Sequence, residues 1–442
     1  MTSATVMKFR AALAETAMVR RLGRLVAFNG LAIEAEGPDA LIGELCRVSG
    51  HGSDGPVLAE VVGFREGRVL LMPFGHLRGM PIGATVEALG RRSRIPVGKE
   101  MIGRVLDAFG APLDGKPAFR ATAERDIHGE AVNPMARAPL NEGLETGVKV
   151  IDGLMPLAKG QRVGIFAGSG VGKSTLLGML AGHVRADVIV VGLIGERGRE
   201  VTDFLQDALS KEGRERSVLI VATADQPALT RTHAVHAAHA VAEHFRELGL
   251  DVLLVIDSIT RFAMAQREVG LAAGEPPTSR GYPPSVFNLL PQILERGGSL
   301  KGAGTITAVY SVLVEGDDMN EPVADHMRAI LDGHIVLSRD LAARGQLPAI
   351  DLLSSVSRLQ AKVCQAEELD LMRQTRAMVA LYESSRDLVE MGAYQAGSNP
   401  ALDDALRRQP RIVEFIRQSP GERCSRESSM RLLREVVSGE AA

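Results

Sequence analysis

Hydrophobic and polar positions follow two different periods along the chain. Between Arg24 and about Ile95, short apolar runs are separated by clusters of Gly, Pro, Asp and Ser, which is typical of closely spaced antiparallel strands. Because helices do not interrupt these runs, the pattern favours a small β-barrel. The runs are RLVAFNG, LAIEAEG, PVLAEVVGF, RVLLMPF and ATVEALG.

After Val97 the pattern changes to strands that alternate with helices. Near-continuous stretches of Val, Ile and Leu are required of strands that are buried on both faces of a parallel sheet. Helical periodicity lies between them, for example in KSTLLGMLAGHV and from Thr232 to Leu248. The pattern therefore predicts an α/β core. Its expected strands lie at 163–167, 188–195, 217–224, 252–257, 305–314 and 334–338.

Both ends of the chain carry helical patterns. Beyond about Ala366 the β signal fades, and a small helical C-terminal domain is expected. Residues 4–20 predict a short helix with Val6, Phe9 and Leu13 on one face, which either packs on its own domain or docks a partner. The predicted division is a docking helix at 1–22, a β-barrel at 23–95, an α/β domain at 96–365 and a helical domain at 366–442.

Composition and charge exclude several classes of protein. The 442 residues carry a formal net charge of −3, so no overall basic field attracts nucleic acid, and Trp is absent. The longest apolar stretch, Val188–Ile194, is too short to span a bilayer, and the N-terminus lacks the apolar region of a secretory signal. Cys46, Cys364 and Cys424 lie far apart with no CxxC motif, which argues against a zinc site and against a disulfide framework. We expect a cytoplasmic protein.

The strongest chemical signal is AGSGVGKST, which lies between a predicted strand and a predicted helix, as a phosphate-binding loop requires. Glycine N–H groups can surround phosphate oxygens there, Lys173 would contact the β- and γ-phosphates, and the Ser174 hydroxyl would ligate Mg²⁺. Ala167 replaces the usual first glycine, which a negative φ would allow. The expected nucleotide-binding residues are Ala167, Gly168, Ser169, Gly170, Val171, Gly172, Lys173, Ser174 and Thr175.

Other charged groups follow predicted strands. Asp257 ends the run DVLLVID, where a carboxylate can hold Mg²⁺ through water. In GERGRE, at 195–200, Glu196 could polarise an attacking water while Arg197 helps to position the site. The helix dipole alone also favours a carboxylate at a helix start, so the residues leave both interpretations open. The acidic run at 316–322 is expected to be a solvated loop, with a place near the nucleotide as the alternative.

Long stretches of the chain resemble the rotary ATPases, the relatives of the ATP synthase α and β subunits. The resemblance covers nearly the whole chain and implies a RecA-like P-loop NTPase core, an N-terminal β-barrel and a helical C-terminal domain. The stretches that carry it are IGRVLDAFGAPLDG at 102–115, LETGVKVIDGLMPLAKGQRVGIFAGSGVGKST at 144–175, and PAIDLLSSVS at 348–357.

Within these relatives the chain is similar to the flagellar type III protein export ATPases. GLIGERGREV, SITRFAMAQREVGLAAGEPP and RGYPPSVFNLLPQILERGG carry this likeness, and the virulence injectisome ATPases are the sibling alternative. FAMAQRE, YPPSVF and GAYQAGSNPALDDAL favour the flagellar branch. The resemblance implies Mg²⁺-dependent ATP hydrolysis by a homohexameric ring that energises flagellar protein export at the cytoplasmic face of the inner membrane.

The resemblance also implies roles for single residues. Glu196 matches the catalytic glutamate of the β subunit, and Arg197 and Arg261 match arginines close to its phosphates. Arg358 matches the α-subunit arginine that reaches into a neighbour's site. Leu347 occupies the position of an adenine-stacking Tyr, and this departure argues against tight or base-selective nucleotide binding.

The partners that the resemblance implies are a FliH-type regulator bound through the N-terminal helix, a FliJ-type stalk protein, export-gate components and chaperone–substrate complexes. Peripheral membrane association is compatible with such a role, and nucleic acid is not expected as a partner.

Two other functions remain as alternatives. A Rho-type RNA helicase also joins a barrel to a RecA-like core, but this barrel lacks clustered aromatic residues. A noncatalytic nucleotide-binding ring subunit is disfavoured by Glu196.

Overall fold

The computed structural model describes residues 19–50, 55–129 and 132–439. The predicted helix at 4–20 lies outside these residues except for its last two positions. The chain forms two compact units. The first consists of the chain up to Arg94 together with Asp225–His233 and Met264–Val286, and the second consists of the remainder.

The first unit contains a closed barrel with the strand order β1-β2-β5-β4-β3-β6, in which neighbouring strands are antiparallel. Alternating positions such as Leu25, Val48 and Val86 fill its interior. The predicted barrel is therefore confirmed. Its strands are β1 Arg21–Phe28, β2 Ile33–Glu36, β3 Glu44–Ser49, β4 Val57–Arg65, β5 Arg68–Pro73 and β6 Thr85–Arg92.

Strand β3 is the barrel strand that the sequence pattern did not predict. Glu44 begins it and is only 4% exposed, so a charge stands where the pattern requires an apolar residue. The carboxylate forms an ion pair with Arg21 of β1 and accepts hydrogen bonds from the N–H groups of Leu41 and Gly90 at 3.0 and 2.8 Å. These partners offset the cost of burying the charge.

The second unit is built on a mixed sheet with the order β19-β18-β12-β17-β15-β13-β14-β8, with a short strand, β16, beside β17. Neighbouring strands from β18 to β8 along this order are parallel, which confirms the predicted α/β core. The strands are β8 Arg104–Asp107, β12 Arg162–Ala167, β13 Val188–Ile194, β14 Ser217–Ala222, β15 Asp251–Asp257, β16 Gly298–Ser299, β17 Thr305–Leu313, β18 Gly333–Leu337 and β19 Ile350–Ser357. Two-stranded sheets join β7 Arg94–Val97 to β9 Ala123–Asp126, and β10 Gly143–Leu144 to β11 Leu157–Ala158.

Strand direction separates two edges of this sheet. The parallel strands all end at one edge, which we call the loop edge because β12 ends there in Ala167. Strand β19 is antiparallel to β18, with Ser357 opposite Gly333, so β19 ends at the edge where β18 and β12 begin. We call this second edge the finger edge, because Arg358 follows Ser357 there.

Helices connect these strands and follow them. Three helices beyond Cys364 contribute Met372, Phe415 and Leu433 to the same apolar cluster that packs under the sheet. The α-helices are Lys149–Leu154, Lys173–His183, Gly198–Asp203, Lys211–Glu215, Ala228–Glu247, Ile259–Ala273, Pro284–Leu294, Pro322–Ile330, Arg339–Ala343, Gln360–Val363, Ala366–Glu390, Pro400–Ile416 and Arg426–Ser438. A π-helical turn spans Phe204–Ala208, and 3-10 turns span Lys99–Met101, Pro134–Ala136, Ser279–Gly281 and Glu315–Asp317.

The last two helices have clear sequence start signals. The Asn399 side chain accepts a hydrogen bond from the Ala401 N–H at 3.1 Å, and Pro400 takes the first helical position. The Ser425 hydroxyl caps the final helix by accepting from the Ser428 N–H at 3.2 Å. Such caps satisfy backbone donors that a helix leaves open at its start. None of the helices among the described ranges is long and apolar enough to cross a membrane.

Candidate nucleotide-hydrolysis site

The phosphate-loop segment connects β12 to the helix Lys173–His183 at the loop edge. Gly170 and Gly172 have φ angles of +79° and +88°, which side chains other than glycine rarely adopt. Gly168 is needed for space rather than for its φ angle, because a Cβ there would lie 2.7 Å from Oδ1 of Asp317. Ala167 is not among the described non-glycine residues with positive φ. Its methyl group is therefore accommodated without backbone strain.

The loop presents its tip and its helix start to solvent. Ser169, Ser174 and Thr175 are exposed, whereas the side chain of Val171 is buried and anchors the loop in the core. Backbone N–H groups at the start of a helix have no helical partner and point towards any bound anion. The loop therefore provides open donors beside a fixed base, as phosphate binding requires.

Two carboxylates lie next to the loop because their strands are neighbours. Asp257 ends β15, opposite Leu193 of β13, and Glu196 follows the end of β13 by two residues. The Lys173 ammonium donates to Asp257 and lies 3.8 Å from Oε1 of Glu196. The structure thus brings together three of the residues that the sequence predicted separately, from three different segments.

Glu196 is buried, with 8% of its surface exposed. Burial raises the pKa of its carboxyl group to about 7, and a hydrogen bond with Glu200 and the charge of Asp257 act in the same direction. Lys173 and Arg261 oppose this shift in pKa, and Nε of Arg261 lies 3.4 Å from Oε1 of Glu196. A carboxyl group with a pKa near neutrality is suited to accept a proton at physiological pH.

The donors at this edge fit a hydrated magnesium ion. Mg²⁺ prefers oxygen ligands and is usually held by one or two carboxylates, waters and substrate phosphates rather than by a full protein cage. Asp257 supplies a carboxylate and Ser174 an exposed hydroxyl at the start of the helix. Within the described ranges, no group of three or more His, Cys, Asp or Glu side chains is arranged to hold a metal ion. Any magnesium bound here would therefore depend on the nucleotide for part of its coordination.

Two of the predicted arginines do not join this cluster. Arg197 has a side chain that is 81% exposed and lies 4.0 Å from Glu200. Arg358 is exposed at the finger edge, where its guanidinium Nη2 donates to the Arg328 carbonyl at 3.2 Å. Arg261 is thus the predicted arginine that contacts the buried glutamate within the chain.

Leu347 lies beside the phosphate loop. A Cβ built on Gly172 would be 3.8 Å from Cδ2 of Leu347, and half of the leucine surface is exposed. The position can therefore offer an aliphatic contact to a bound group, but no aromatic ring on which a base could stack.

Two contacts at the site escaped the sequence analysis, and a third had been predicted only as an alternative. The Ser311 hydroxyl on β17 donates to Oδ1 of Asp257 at 2.6 Å, and little in the sequence singled it out, because β17 also contains Thr305 and Thr307. Glu200, the last residue of GERGRE, shares a hydrogen bond with Glu196. Asp317 of the acidic run lies against Gly168 and 3.7 Å from Arg339, so that loop lies next to the phosphate loop.

A phosphate loop, a strand-end aspartate and a buried glutamate on one edge of a parallel sheet define a P-loop ATPase. Family models agree with each part of the chain. Residues 147–357 match the nucleotide-binding domain of the ATP synthase alpha/beta family, and residues 25–90 match its beta-barrel domain. Residues 364–435 match the T3SS EscN ATPase C-terminal domain.

Individual relatives narrow the assignment. The chain is 48% identical to the flagellum-specific ATP synthase of Bacillus subtilis over 95% of its own length and 96% of that protein. It is also similar to the assembled ATPase EscN of the enteropathogenic Escherichia coli type III secretion system, with a TM-score of 0.89, 42% identity, and coverage of 94% of this chain and 100% of that one. A structure of EscN in complex with its central stalk EscO matches with a TM-score of 0.86, 41% identity and the same coverage. The chain belongs to the ATP synthase alpha/beta family, in its branch of flagellum-specific and type III secretion ATPases.

Proposed function

We propose that this chain hydrolyses ATP with Mg²⁺ and thereby energises the export of flagellar proteins. The observation that carries the proposal is the contact between Lys173, Asp257 and Glu196 beside an open phosphate loop. Identity to flagellum-specific relatives reaches 48%, against 45% to a type 3 secretion system ATPase, which favours the flagellar role over the injectisome role.

Each residue of the cluster has a distinct task in the proposed reaction. Lys173 exchanges its ion pair with Asp257 for the β- and γ-phosphates, and so releases the carboxylate. Asp257, through water, and Ser174 would hold a magnesium ion, which would neutralise charge on the phosphates. Glu196 accepts the proton of the attacking water while Arg261 faces the same carboxylate. The remaining loop residues, from Ala167 to Thr175, surround the phosphates.

The position of Arg358 supports a ring of several copies. Its N–H donates to the Asp332 carbonyl, and the Asp332 N–H donates to the carbonyl of Arg162, the first residue of β12. The phosphate loop begins at the other end of this strand, about 20 Å away for six residues at roughly 3.3 Å each. We propose that Arg358 reaches the loop of a neighbouring copy in a homohexamer, where it acts as an arginine finger.

Further partners belong to the same proposal. The structure of EscN with its central stalk EscO supports a stalk partner of the FliJ type for this ring. A FliH-type regulator bound to residues 1–22, export-gate components and chaperone–substrate complexes complete the proposed assembly at the cytoplasmic face of the inner membrane. The boundaries 23–95, 96–365 and 366–442 stay predictions for the other three functional domains.

The decisive experiment mixes two inactive chains. Arg358→Ala removes the finger and Glu196→Gln removes the proton acceptor, so neither chain is expected to turn over ATP alone. Mixed rings place an intact Glu196 beside an intact Arg358 at some interfaces and should recover part of the wild-type rate. The wild-type rate per chain should also rise with protein concentration as rings form.

Ring formation must be measured alongside activity, for example by mass photometry of the mixture. Mixed rings that form but stay inactive, together with full activity of wild-type monomers, would show that the finger does not act between copies. Each single variant at the same total concentration is the matched control.

A further inference from the structure

The backbone beside Arg358 is fixed by a small polar network at the finger edge. The Arg358 N–H donates to the Asp332 carbonyl at 3.1 Å. The Asp332 carboxylate accepts from the N–H and Nε of Arg162, both at 3.0 Å, and the Asp332 N–H donates back to the Arg162 carbonyl at 2.9 Å. The residue that holds the finger is therefore bound to the strand that leads into the phosphate loop.

Gln161 lies at the centre of this network. Its side chain is fully buried. Its amide Nε2 donates to the Asp332 carbonyl at 3.1 Å and to the Ser357 hydroxyl at 3.5 Å, while Oε1 accepts from the Ala158 N–H at 2.8 Å. One amide thus contacts the acceptor of the Arg358 N–H and the residue that immediately precedes Arg358.

A buried amide is costly unless its polar atoms are paired, so packing alone does not account for a glutamine here. The bond from Ala158 fixes which end of the amide is the acceptor, and the donor end then points at Asp332 and Ser357. The Ser357 hydroxyl is itself directed, because it donates to the Pro156 carbonyl at 2.8 Å. The network therefore specifies the position of the chain on both sides of the Ser357–Arg358 peptide.

We infer that Gln161 is a positioning residue for the Arg358 finger, and that its buried amide serves the active site of the neighbouring copy rather than its own. The inference rests on the proposed finger between copies. A finger that is displaced by about 1 Å loses much of its contribution, since such errors cost on the order of 100-fold in rate. Gln161 acts through Asp332 and Ser357 and touches no nucleotide itself.

The test uses the complementing pair of full-length chains. In that pair the Glu196→Gln chain donates the finger, and the Arg358→Ala chain supplies the working site. Gln161→Met keeps the length of the side chain but removes both polar atoms of its amide. Placed on the finger-donating chain, it should lower the recovered kcat about 10- to 100-fold with KM unchanged. Placed on the chain that supplies the site, it should leave the recovered rate within about twofold.

Thr307→Val is the matched control. The Thr307 hydroxyl accepts from the N–H of Gly160, in the same turn as Gln161, at 2.9 Å, and the residue is equally inaccessible to solvent. Thr307→Val should change the recovered rate equally in the two chains, because the hydrogen bond of Thr307 does not involve Arg358. Asp332→Asn alters the other residue that fixes the Arg358 backbone. It takes the place of Gln161→Met in this test if the Gln161→Met chain does not form rings.

Equal losses in the two arms would overturn the inference, since a general weakening of the fold would harm the site and the finger together. An unchanged rate in the finger-donating arm would overturn it as well. Failure of the unmodified pair in rings that form would disprove the proposed finger between copies, and the positioning role with it. A loss of recovered kcat in the finger-donating arm alone supports the positioning role of Gln161.

Discussion

The two edges of the central sheet are organised in opposite ways. At the loop edge, Lys173 contacts both Asp257 and Glu196, and all three side chains are mostly buried. At the finger edge, Arg358 is exposed, with its backbone tied down and its guanidinium on the surface. The chain therefore carries the charged cluster of the proposed nucleotide site at one edge and an exposed arginine at the opposite edge.

This difference separates binding from catalysis. Ion pairs that are buried before nucleotide arrives keep the charged groups in place, so one chain can bind ATP with its own residues. If Arg358 acts as the proposed finger, completion of the catalytic site depends on how a second copy is placed against the first. Such an arrangement allows assembly to control hydrolysis, because an isolated chain would bind nucleotide without rapid turnover.

The largest expected effect comes from removal of the finger. Arg358→Ala should lower kcat by about 10³–10⁵-fold, since a finger stabilises charge that develops on the transferred phosphoryl group. ATP affinity, measured with a fluorescent analogue, should stay near the wild-type value because the loop edge is intact.

Arg328→Ala supplies the control for this variant. Arg328 is another partly exposed arginine at the finger edge, and it contacts Arg358 through its backbone carbonyl, which the substitution retains. Its side chain pairs with Asp325 on the surface, a contact of small energetic value. A similar loss in both variants would mean that the edge, rather than the guanidinium of Arg358, matters for turnover.

The next effect tests the loop edge. Glu196→Gln should lower kcat by about 10²–10⁴-fold, because the amide cannot accept the proton of the attacking water. Lys173 and Asp257 remain, so binding of ATP with Mg²⁺ should persist in equilibrium titrations. Retention of more than about a tenth of the wild-type turnover would exclude the general-base role.

The loop edge was largely predictable from sequence, and the finger edge was not. AGSGVGKST and the apolar run that ends in Asp257 carry local signals, because glycine spacing and buried strands leave clear patterns. Arg358 has no local signal of its own. Its role entered through a family resemblance, and its place at the far edge depends on the antiparallel pairing of β18 and β19.

Long-range polar contacts were the other failure of sequence reasoning. Gln161 contacts residues more than 170 positions away in sequence, and Glu44 pairs across the barrel with Arg21. In the sequence, a single polar residue among apolar neighbours has the same pattern whether its side chain is exposed or is buried and hydrogen-bonded to a partner. Only the fold distinguishes the two cases, because the partner is supplied by a distant segment.

The smallest expected effect is a shift in the pH dependence of the loop edge. The pKa of Glu196 is raised to about 7, so the carboxyl group is neutral below that pH and becomes a proton acceptor above it. The wild-type kcat/KM should therefore rise as pH increases through about 7. The residual activity of Glu196→Gln should lack this rise.

Glu200→Gln should move the rise to lower pH. The Glu200 carboxylate accepts a hydrogen bond from protonated Glu196, which favours the neutral form and raises its pKa. An amide at this position can donate to the ionised form instead, so the pKa of Glu196 should fall. Exposed Glu427 on the last helix provides a matched control, and Glu427→Gln should leave the profile unchanged. A profile of kcat/KM that stays in place after Glu200→Gln would show that the hydrogen bond with Glu200 does not contribute to the pKa of Glu196.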